Sequence, residues 1–263
     1  YDNSVSHALE YYIADFALSR FAEALGKKKD AEMFYKRSLG YKHYYSKEFG
    51  TFRPILPDGT FYSPFNPRQG ENFEPNPGFH EGSAWNYSFY VPHDVYGLAK
   101  LMGGKNPFIK KLQMVFDEGL YDPANEPDIA YAHLFSYFRG EEWRTQKETQ
   151  RLLDKYFTTK PNGIPGNDDT GTMSAWAIFN MIGFYPDCPG LPEYTLTTPV
   201  FNKVTIRLDP KWYKEKELVI ESNRTQPGTL YINKVLLNGK KFNQYRITHD
   251  ELVHSQRILF DLK

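Results

Sequence analysis

The stretch that decides the fold is YYIADFALSRFAEALGKKKDAEMFYKRSLGYKHYY, residues 11–45. Its first part, Tyr11–Leu25, is amphipathic with an aromatic face, and helical spacing resumes over Lys27–Tyr45. Gly26 stands between the two parts, at the position where a helix that ends in a left-handed residue favours glycine. The stretch therefore predicts two helices joined by a glycine turn.

The same helix–glycine–helix pattern recurs along the chain. The further runs are His93–Met102 before Gly103-Gly104, Pro107–Phe116 after it, Ile129–Phe138 and Glu141–Phe157 around Gly140, and Met173–Ile182 before Gly183. Because these hairpins have no fixed period, a regular solenoid is less favoured than a closed helical toroid. The pattern leaves open whether the toroid is an (α/α) barrel or an irregular bundle.

From about residue 193 the pattern changes to short β-branched runs separated by turn residues. The predicted strands are Val204–Leu208, Glu217–Ile220, Thr229–Ile232, a run that ends at Asn238-Gly239, and Gln256–Leu262. Asn-Gly is a strong signal for a two-residue hairpin turn. The sequence thus predicts a mainly α fold over residues 1–190 and an antiparallel β module over 191–263, whose sheet we expect to be shared with segments outside this sequence.

Composition excludes several classes of function. The 32 Lys and Arg residues balance 32 Asp and Glu residues, which argues against nucleic-acid or anionic-membrane partners. A single cysteine, Cys188, excludes an intrachain disulfide and a thiolate metal cluster. A mean hydropathy of −0.62 and the lack of a long apolar run predict no membrane span. The sequence begins within a predicted helical segment and ends in a predicted strand. We therefore expect a fragment of a longer protein whose targeting signal lies elsewhere.

Three polar loops, over residues 50–79, 119–127 and 158–171, each run into a predicted helix start. The third loop carries adjacent acids, Asp168 and Asp169. Acids at a helix start are explained by capping, but two neighbouring carboxylates exceed what a cap needs and are typical of metal or proton-transfer sites. The alternatives of cap and catalytic site both stay open.

The first loop ends in Gly78-Phe79-His80-Glu81-Gly82-Ser83-Ala84-Trp85. A glutamate beside Phe79 and Trp85 is expected to be partly desolvated, which suits a general acid. The alternative is a first-turn glutamate that the helix dipole stabilises. His80 is interpreted more simply as a hydrogen-bonded scaffold residue.

The second loop, Asn125-Glu126-Pro127-Asp128, offers only oxygen ligands, which hard cations such as calcium prefer. Its alternative is an ordinary helix start, with Asn as cap and Pro in the first turn. The chain contains no EF-hand loop, HExxH, CxxC, P-loop, GxGxxG or GxSxG motif. Nucleotide chemistry and an α/β-hydrolase serine are therefore excluded.

Four segments together resemble the calcium-dependent exo-α-mannosidases of glycoside hydrolase family 92. They are the segment from Gly78 to Trp85 continuing to Val91-Pro92-His93-Asp94, then Asn125-Glu126-Pro127, then Glu142-Trp143-Arg144-Thr145-Gln146, and last Gly166 to Trp176 with Gly183-Phe184-Tyr185-Pro186. The resemblance implies an (α/α)6 barrel, of which this chain is the C-terminal part. It also implies a preceding N-terminal β-sandwich domain that contributes to the mannose pocket.

The resemblance further implies removal of terminal mannose from glycans by single displacement with inversion. By matching positions, Glu81 is the general acid and Asp169 the general base. Members of this family often carry an acid where Asn167 stands, so Asp168 is a fallback for the base. Asn125, Glu126 and Asp169 are the candidate ligands of Ca2+, which would bind the 2- and 3-hydroxyls of the sugar. Trp85 and His80 are the candidate substrate-binding residues, and export to the periplasm, cell surface or medium is expected.

Two rival functions stay open on the sequence. One is a metal-independent inverting (α/α)6 glycosidase of the glucoamylase or trehalase type. The other is a carbohydrate-binding or scaffold protein with inactive acids. Metal independence with glucoside cleavage would indicate the first, and sugar binding without turnover would indicate the second.

Overall fold

The computed structural model describes residues 3–70, 74–226 and 228–263. The chain forms two compact units. The first comprises Tyr1–Tyr131 and Cys188–Leu191, and the second comprises Ala132–Asp187 and Pro192–Lys263. The units do not coincide with the change of sequence pattern near residue 190, because the helices after Tyr131 belong to the same unit as the C-terminal strands. The division at residue 190 stays a prediction.

The first unit is helical apart from one two-stranded sheet. Its helices and strands are α1 (Ser4–Ala24), α2 (Lys28–Ser38), β1 (Tyr45–Ser46), β2 (Thr51–Phe52), α3 (Ala84–Tyr87), α4 (Val95–Leu101) and α5 (Lys105–Asp117), with 3₁₀ segments at Leu39–Tyr44, Pro92–Asp94 and Glu126–Asp128. The predicted α1–α2 hairpin is confirmed, and Gly26 between them has a φ of +72°. That conformation suits glycine because it has no Cβ.

The α1–α2 hairpin is held by packing on one face and by one ion pair. Val5, Leu9, Ile13 and Phe16 of α1 are buried. Asp15, also buried, pairs with Arg37 of α2 at 3.1 Å. These residues follow the expected spacing of three and four, but Tyr11, Leu18 and Phe21 of the same helix are exposed, so apolar spacing alone does not select the buried face.

The described part of the second unit joins three α-helices to two sheets. Its elements are α6 (Glu142–Tyr156), α7 (Thr172–Ile182), β3 (Phe184–Tyr185), β4 (Glu193–Leu196), β5 (Lys203–Arg207), β6 (Glu217–Arg224), β7 (Ile232–Leu237), β8 (Lys240–Phe242), β9 (Arg246–Thr248), α8 (His249–Val253) and β10 (Arg257–Leu262). The helix expected over Ile129–Phe138 is instead a 3₁₀ segment, Tyr131–Tyr137, which begins at the unit boundary.

The larger sheet has the strand order β5-β6-β10-β7-β8, and the smaller has the order β3-β4-β9. The expectation of a purely antiparallel module is wrong in one place, because β10 pairs with β6 in parallel. The last strand enters the sheet between β6 and β7 and runs antiparallel only to β7. The strand expected at Thr229–Ile232 begins only at Ile232.

One apolar cluster serves both sheets of the second unit. It contains Phe184, Leu196 and Ile247 from the smaller sheet and Ile220, Val235, Ile258 and Phe260 from the larger one, among others. The side-chain Oε1 of Gln146 on α6 accepts a hydrogen bond of 2.9 Å from the backbone N–H of Ile232. This bond attaches the first residue of β7 to the helix.

The predicted Asn-Gly hairpin is confirmed. Asn238 and Gly239 have φ values of +48° and +80°, and Leu237 pairs with Lys240 across the turn. Two consecutive positive φ values are the signature of the turn type that matches strand twist.

The predicted change from helices to strands is confirmed, while the (α/α)6 barrel stays a prediction. Within the part of the chain that the structure describes, no helix is both long and apolar enough to cross a lipid bilayer.

Candidate active site

Glu81 lies at a strained turn in the first unit. Its φ is +49°, a left-handed value that a non-glycine residue adopts at an energetic cost. The neighbouring backbone is tied by side chains: the N–H of His80 donates to Ser6 Oγ at 2.8 Å, and the carbonyl of His80 accepts from the Tyr87 hydroxyl at 2.8 Å. Burial raises the pKa of Tyr87 to about 12, so this hydroxyl keeps its proton and donates.

The residues after Glu81 are held in the same way. The carbonyl of Glu81 accepts a hydrogen bond of 2.8 Å from Asn125 Nδ2. The carbonyl of Gly82 accepts one of 3.1 Å from Asn76 Nδ2, and the N–H of Ser83 donates to Asn86 Oδ1 at 2.8 Å. Strained residues persist where the surrounding structure fixes them, and such residues cluster at functional sites.

Ser83 also starts α3. Its Oγ accepts from the N–H of Trp85 at 3.2 Å, and the Asn86 side chain completes a reciprocal capping box. The short helix therefore begins at Ala84, three residues after Glu81. It fixes where the turn ends.

The side chain of Glu81 is 60 % exposed, with His80 Nε2 at 3.5 Å from its Oε1. The aromatic enclosure expected from the sequence is not found, because Phe79 and Trp85 are buried in the first unit. The exposed glutamate and His80, whose side chain is 58 % exposed, are reachable by a ligand. Trp85 is only 9 % exposed and belongs mainly to the core.

Asn125 connects the second predicted loop to the Glu81 turn. Its side chain is nearly buried, and its Nδ2 is committed to the Glu81 carbonyl. This orients the amide so that Oδ1 is the atom left for another partner. Glu126, the next residue, is exposed. An amide oxygen next to a carboxylate is the donor type that calcium prefers.

The donor set therefore fits a hard cation in kind, although two protein oxygens are fewer than the six to eight that calcium takes. Among the residues that the structure describes, no group of three or more His, Cys, Asp or Glu side chains could hold a metal ion. Further ligands would have to be carbonyl oxygens, water or substrate.

Asp128 is a polar residue whose importance the sequence analysis missed. It is fully buried, and its Oδ2 accepts hydrogen bonds from Asn86 Nδ2 at 2.9 Å and from the N–H of Asp122 at 2.6 Å. Its Oδ1 is buried without a partner in the described part of the chain. Burial raises the pKa of this carboxyl well above its usual range. Its place after Asn-Glu-Pro is visible in the sequence, where an oxygen-ligand loop and an ordinary helix start are the two alternatives, and neither predicts its full burial.

The second pair of predicted carboxylates lies in the second unit, just before α7. Asp169, Thr170 and Gly171 have φ values of +45°, +61° and +92°. The carbonyl of Asp169 accepts hydrogen bonds from the Thr172 N–H at 3.2 Å and from Thr172 Oγ1 at 2.6 Å. Asp169 is thus a second carboxylate on a strained turn that local hydrogen bonds stabilise.

The two adjacent acids differ in what they contact. Asp168 Oδ1 accepts a hydrogen bond of 2.8 Å from the N–H of Ser174, in the first turn of α7. The capping interpretation is therefore right for Asp168. The Asp169 carboxylate forms no hydrogen bond or ion pair with any residue in the described ranges, so it is available to a ligand.

Aromatic packing anchors the helix that follows the Asp169 turn. Trp176 of α7 stacks on Phe157 with ring centroids 5.4 Å apart, and His133 meets its edge at 6.1 Å. His133 Nε2 also lies 2.9 Å from Asn180 Oδ1. These buried contacts fix the start of α7 and so the position of the turn.

The first unit therefore brings together Glu81, His80 and Asn125, with Glu126 adjacent in the chain. Asp168 and Asp169 share a turn in the second unit. Four non-glycine residues in the described ranges have a positive φ, and three of them are Glu81, Asp169 and Thr170. The fourth, Asn238, is explained by its hairpin.

Carboxylates fixed on strained turns, as on Glu81 and Asp169, are an arrangement suited to glycoside hydrolases, which use two such groups. The model of the glycosyl hydrolase family 92 catalytic domain matches residues 1–263. The chain belongs to glycosyl hydrolase family 92.

Solved structures agree with this assignment. A family 92 α-mannosidase from Bacteroides thetaiotaomicron, in complex with mannoimidazole, is 30 % identical with a TM-score of 0.90, covering 98 % of this chain and 36 % of its own. An inverting family 92 mannosidase from the same species is 31 % identical with a TM-score of 0.87. The match covers 98 % of this chain and 37 % of the mannosidase chain.

Among curated proteins, an uncharacterized secreted glycosidase from Arthroderma benhamiae is 26 % identical over 265 residues, which cover 94 % of this chain and 34 % of that protein. The chain therefore spans about a third of the length of the relatives that it matches.

Proposed function

We propose that this chain is part of an exo-acting α-mannosidase that hydrolyses terminal α-linked mannose with inversion. The observation that carries the proposal is the pair of carboxylates on Glu81, which is exposed, and on Asp169, which is half-buried, each at a left-handed residue on a hydrogen-bonded turn. Membership of family 92 and the mannosidases among its structural relatives support the choice of substrate.

In this proposal Glu81 protonates the departing glycosidic oxygen. Asp169 takes a proton from the water that attacks the anomeric carbon from the opposite face. Single displacement needs roughly 6.5–9.5 Å between the two carboxyl groups, so that the water fits. Ties to the backbone on both sides of Glu81 would fix the acid relative to the sugar, and positioning of this kind lowers the barrier.

Asp168 is the weaker candidate for the base. Its Oδ1 is occupied by the N–H of Ser174, whereas the Asp169 carboxylate has no such commitment in the described ranges. A base must accept a proton from water, so an oxygen without a donor is better suited. His80 and Trp85 stay candidates for substrate contact, and the exposure of His80 favours it over the buried Trp85.

We further propose Ca2+ as cofactor, with Asn125, Glu126 and Asp169 as candidate ligands. When bound, the ion would coordinate vicinal hydroxyls of the sugar and favour a distorted ring. In this chain, the hydrogen bond from Asn125 Nδ2 to Glu81 turns the amide so that Oδ1 is left for the cation. The same residue would thereby orient a ligand oxygen and the acid-bearing turn.

The remaining proposals concern the complete protein. They are an N-terminal β-sandwich domain that completes the pocket, mannose-containing glycans as substrates, and export from the cell. The Arthroderma relative is described as secreted, which supports the last of these.

The experiment is hydrolysis of an aryl α-mannoside by the complete protein, with and without EDTA, with the product anomer followed by NMR. We expect β-mannose as the first product, loss of activity with EDTA and recovery with calcium. Metal-independent cleavage of an α-glucoside would instead indicate a glucoamylase- or trehalase-type enzyme. Mannose binding with no turnover would indicate a binding protein.

A further inference from the structure

The fully buried carboxyl of Asp128 lies where the Glu81 turn and the Asn125 loop meet in the first unit. One of its oxygens, Oδ2, accepts both the 2.9 Å hydrogen bond from Asn86 Nδ2 and the 2.6 Å hydrogen bond from the Asp122 N–H. The other oxygen, Oδ1, has no partner in the described part of the chain. A single acceptor atom thus joins a helix residue to a loop residue.

The first donor, Asn86 Nδ2, belongs to a side chain that also binds Ser83, two residues after Glu81. Asn86 Nδ2 donates to Asp128, and the Oδ1 of the same amide accepts from the N–H of Ser83 at 2.8 Å and from Ser83 Oγ at 2.9 Å. Asp128 therefore fixes which way the Asn86 amide faces, together with the Leu120 carbonyl, which accepts from the same Nδ2 at 3.2 Å. That orientation decides whether Ser83 finds an acceptor.

The second donor, the N–H of Asp122, belongs to the loop whose Asn125 side chain donates to the carbonyl of Glu81. The N–H of Asn125 donates to the carbonyl of Asp122 at 3.3 Å, and the N–H of Asp128 donates to the carbonyl of Asn125 at 3.1 Å. These bonds close the loop from Asp122 to Asp128, from which Asn125 Nδ2 reaches Glu81. Asp128 thus holds the turn from both sides.

A residue that only filled space here would not need a carboxyl group, because burial of an unpaired polar oxygen is unfavourable. The carboxyl instead accepts from the half-buried N–H of Asp122 and from one of the two N–H groups of Asn86 Nδ2, which also donates to the Leu120 carbonyl at 3.2 Å. Its contacts lead to the strained turn that carries Glu81.

We propose that Asp128 is a positioning residue for the general acid, holding the left-handed Glu81 turn through Asn86 and through the Asp122–Asn125 loop. This inference rests on the proposed function of Glu81 as the acid. Asp128 itself touches no substrate.

The test uses two substrates that differ in their need for an acid. An α-linked mannobiose has an alkoxide leaving group that must be protonated, whereas 2,4-dinitrophenyl α-mannoside has one that departs without protonation. The ratio of the two rates is independent of how much of a preparation is folded. A variant that merely destabilises the protein leaves this ratio unchanged.

In the complete protein, Asp128→Leu removes both acceptor contacts. We expect kcat on mannobiose to fall about 100-fold, since a displacement of about 1 Å has an effect of that order, with a much smaller fall on the dinitrophenyl substrate. Asp128→Asn retains an acceptor oxygen for both donors and should stay within about 5-fold of the unaltered protein on both substrates, because only the unpartnered Oδ1 position changes. If Asp128→Leu does not fold, Asn86→Ala cuts one of the two routes and should shift the ratio in the same direction.

Asp15→Asn is the matched control, because Asp15 is another buried acid of the first unit and pairs with Arg37 rather than with the turn. It should alter the unfolding temperature and leave the rate ratio unchanged. Equal losses on both substrates in Asp128→Leu, while Glu81→Gln shows the leaving-group effect, would overturn the positioning role and leave the proposed function intact. Failure of the unaltered protein to cleave either mannoside would reject the proposed function and this inference together.

Discussion

The side-chain amide of Asn125 donates a 2.8 Å hydrogen bond to the backbone carbonyl of Glu81, across 44 residues of sequence. The contact joins a candidate cation ligand to the candidate general acid. Within the first unit, a cation that binds Asn125 therefore acts on the same amide that holds the strained turn. If the proposed roles hold, acid position and cation binding are coupled through this one side chain.

Replacing the acid with its amide, Glu81→Gln, should lower hydrolysis of mannobiose by roughly 10²–10⁴-fold, the usual contribution of a general acid. The side chain is 60 % exposed, so folding should change little. Steady-state rates and thermal unfolding of the complete protein check both parts. A rate within 10-fold of the unaltered protein would exclude Glu81 as the acid.

Asp169→Asn and Asp168→Ala should separate catalysis from capping. The first change should abolish most turnover and leave stability nearly unchanged, because the Asp169 carboxylate forms no hydrogen bond within the described ranges. The second removes the acceptor for the Ser174 N–H and should cost about 1 kcal/mol of unfolding free energy. Chemical denaturation and initial rates measure the two effects, and a larger rate loss in Asp168→Ala would reverse the assignment.

Asn125→Asp retains an oxygen for a cation but removes the N–H donor to Glu81. We expect calcium affinity, measured by calorimetry, to be unchanged or tighter, since carboxylates are good calcium ligands. Turnover should nevertheless fall about 10–100-fold, because the turn loses its tie. Asn162→Asp makes the same chemical change at an exposed loop residue and should leave both measurements unaltered. Undiminished turnover in Asn125→Asp would show that the tie is dispensable.

Stability should depend on pH through His93. Burial lowers the pKa of this imidazole, although the hydrogen bond to the Ser38 carbonyl and nearby Asp94 oppose the shift. As the pH falls through about 6.5, His93 therefore binds a proton more readily in the unfolded chain than in the folded protein. The unfolding free energy should fall as pH drops below about 6.5, by up to about 1.4 kcal/mol per pH unit.

The variant that tests this dependence is His93→Gln, whose amide still offers an N–H donor to the Ser38 carbonyl, 3.0 Å from Nε2 in the structure. The loss of stability between pH 7 and pH 5 should be smaller in this variant than in the unaltered protein. Identical pH profiles by thermal unfolding would mean that other groups cause the acid sensitivity.

Local chemistry explains which parts of the fold were predictable. Gly26, Gly140 and Gly183 follow apolar runs and adopt the expected positive φ, and Asn238-Gly239 forms its hairpin. Each depends on residues within one or two turns of the chain. The sequence signal and the structural cause therefore coincide.

Long-range contacts explain what was not predictable. The parallel pairing of β6 with β10 joins residues about 38 apart, such as Ile220 and Ile258. The left-handed conformation of Glu81 depends on distant donors, above all Asn125. The buried Asp128 carboxyl likewise has a distant partner in Asn86, 42 residues away in the sequence. The sequence shows which residue types form the candidate site. It does not show that the backbone of Glu81 and Asp169 is strained.

The place of β10 has a consequence for biosynthesis. Because this strand lies between β6 and β7, the five-stranded sheet cannot close until Leu262 has left the ribosome. Until then β6 and β7 each present an open edge with apolar side chains nearby, a state prone to intermolecular pairing. Removal of residues 257–263 would make that nascent state permanent, so the module cannot assemble before β10 has been synthesised.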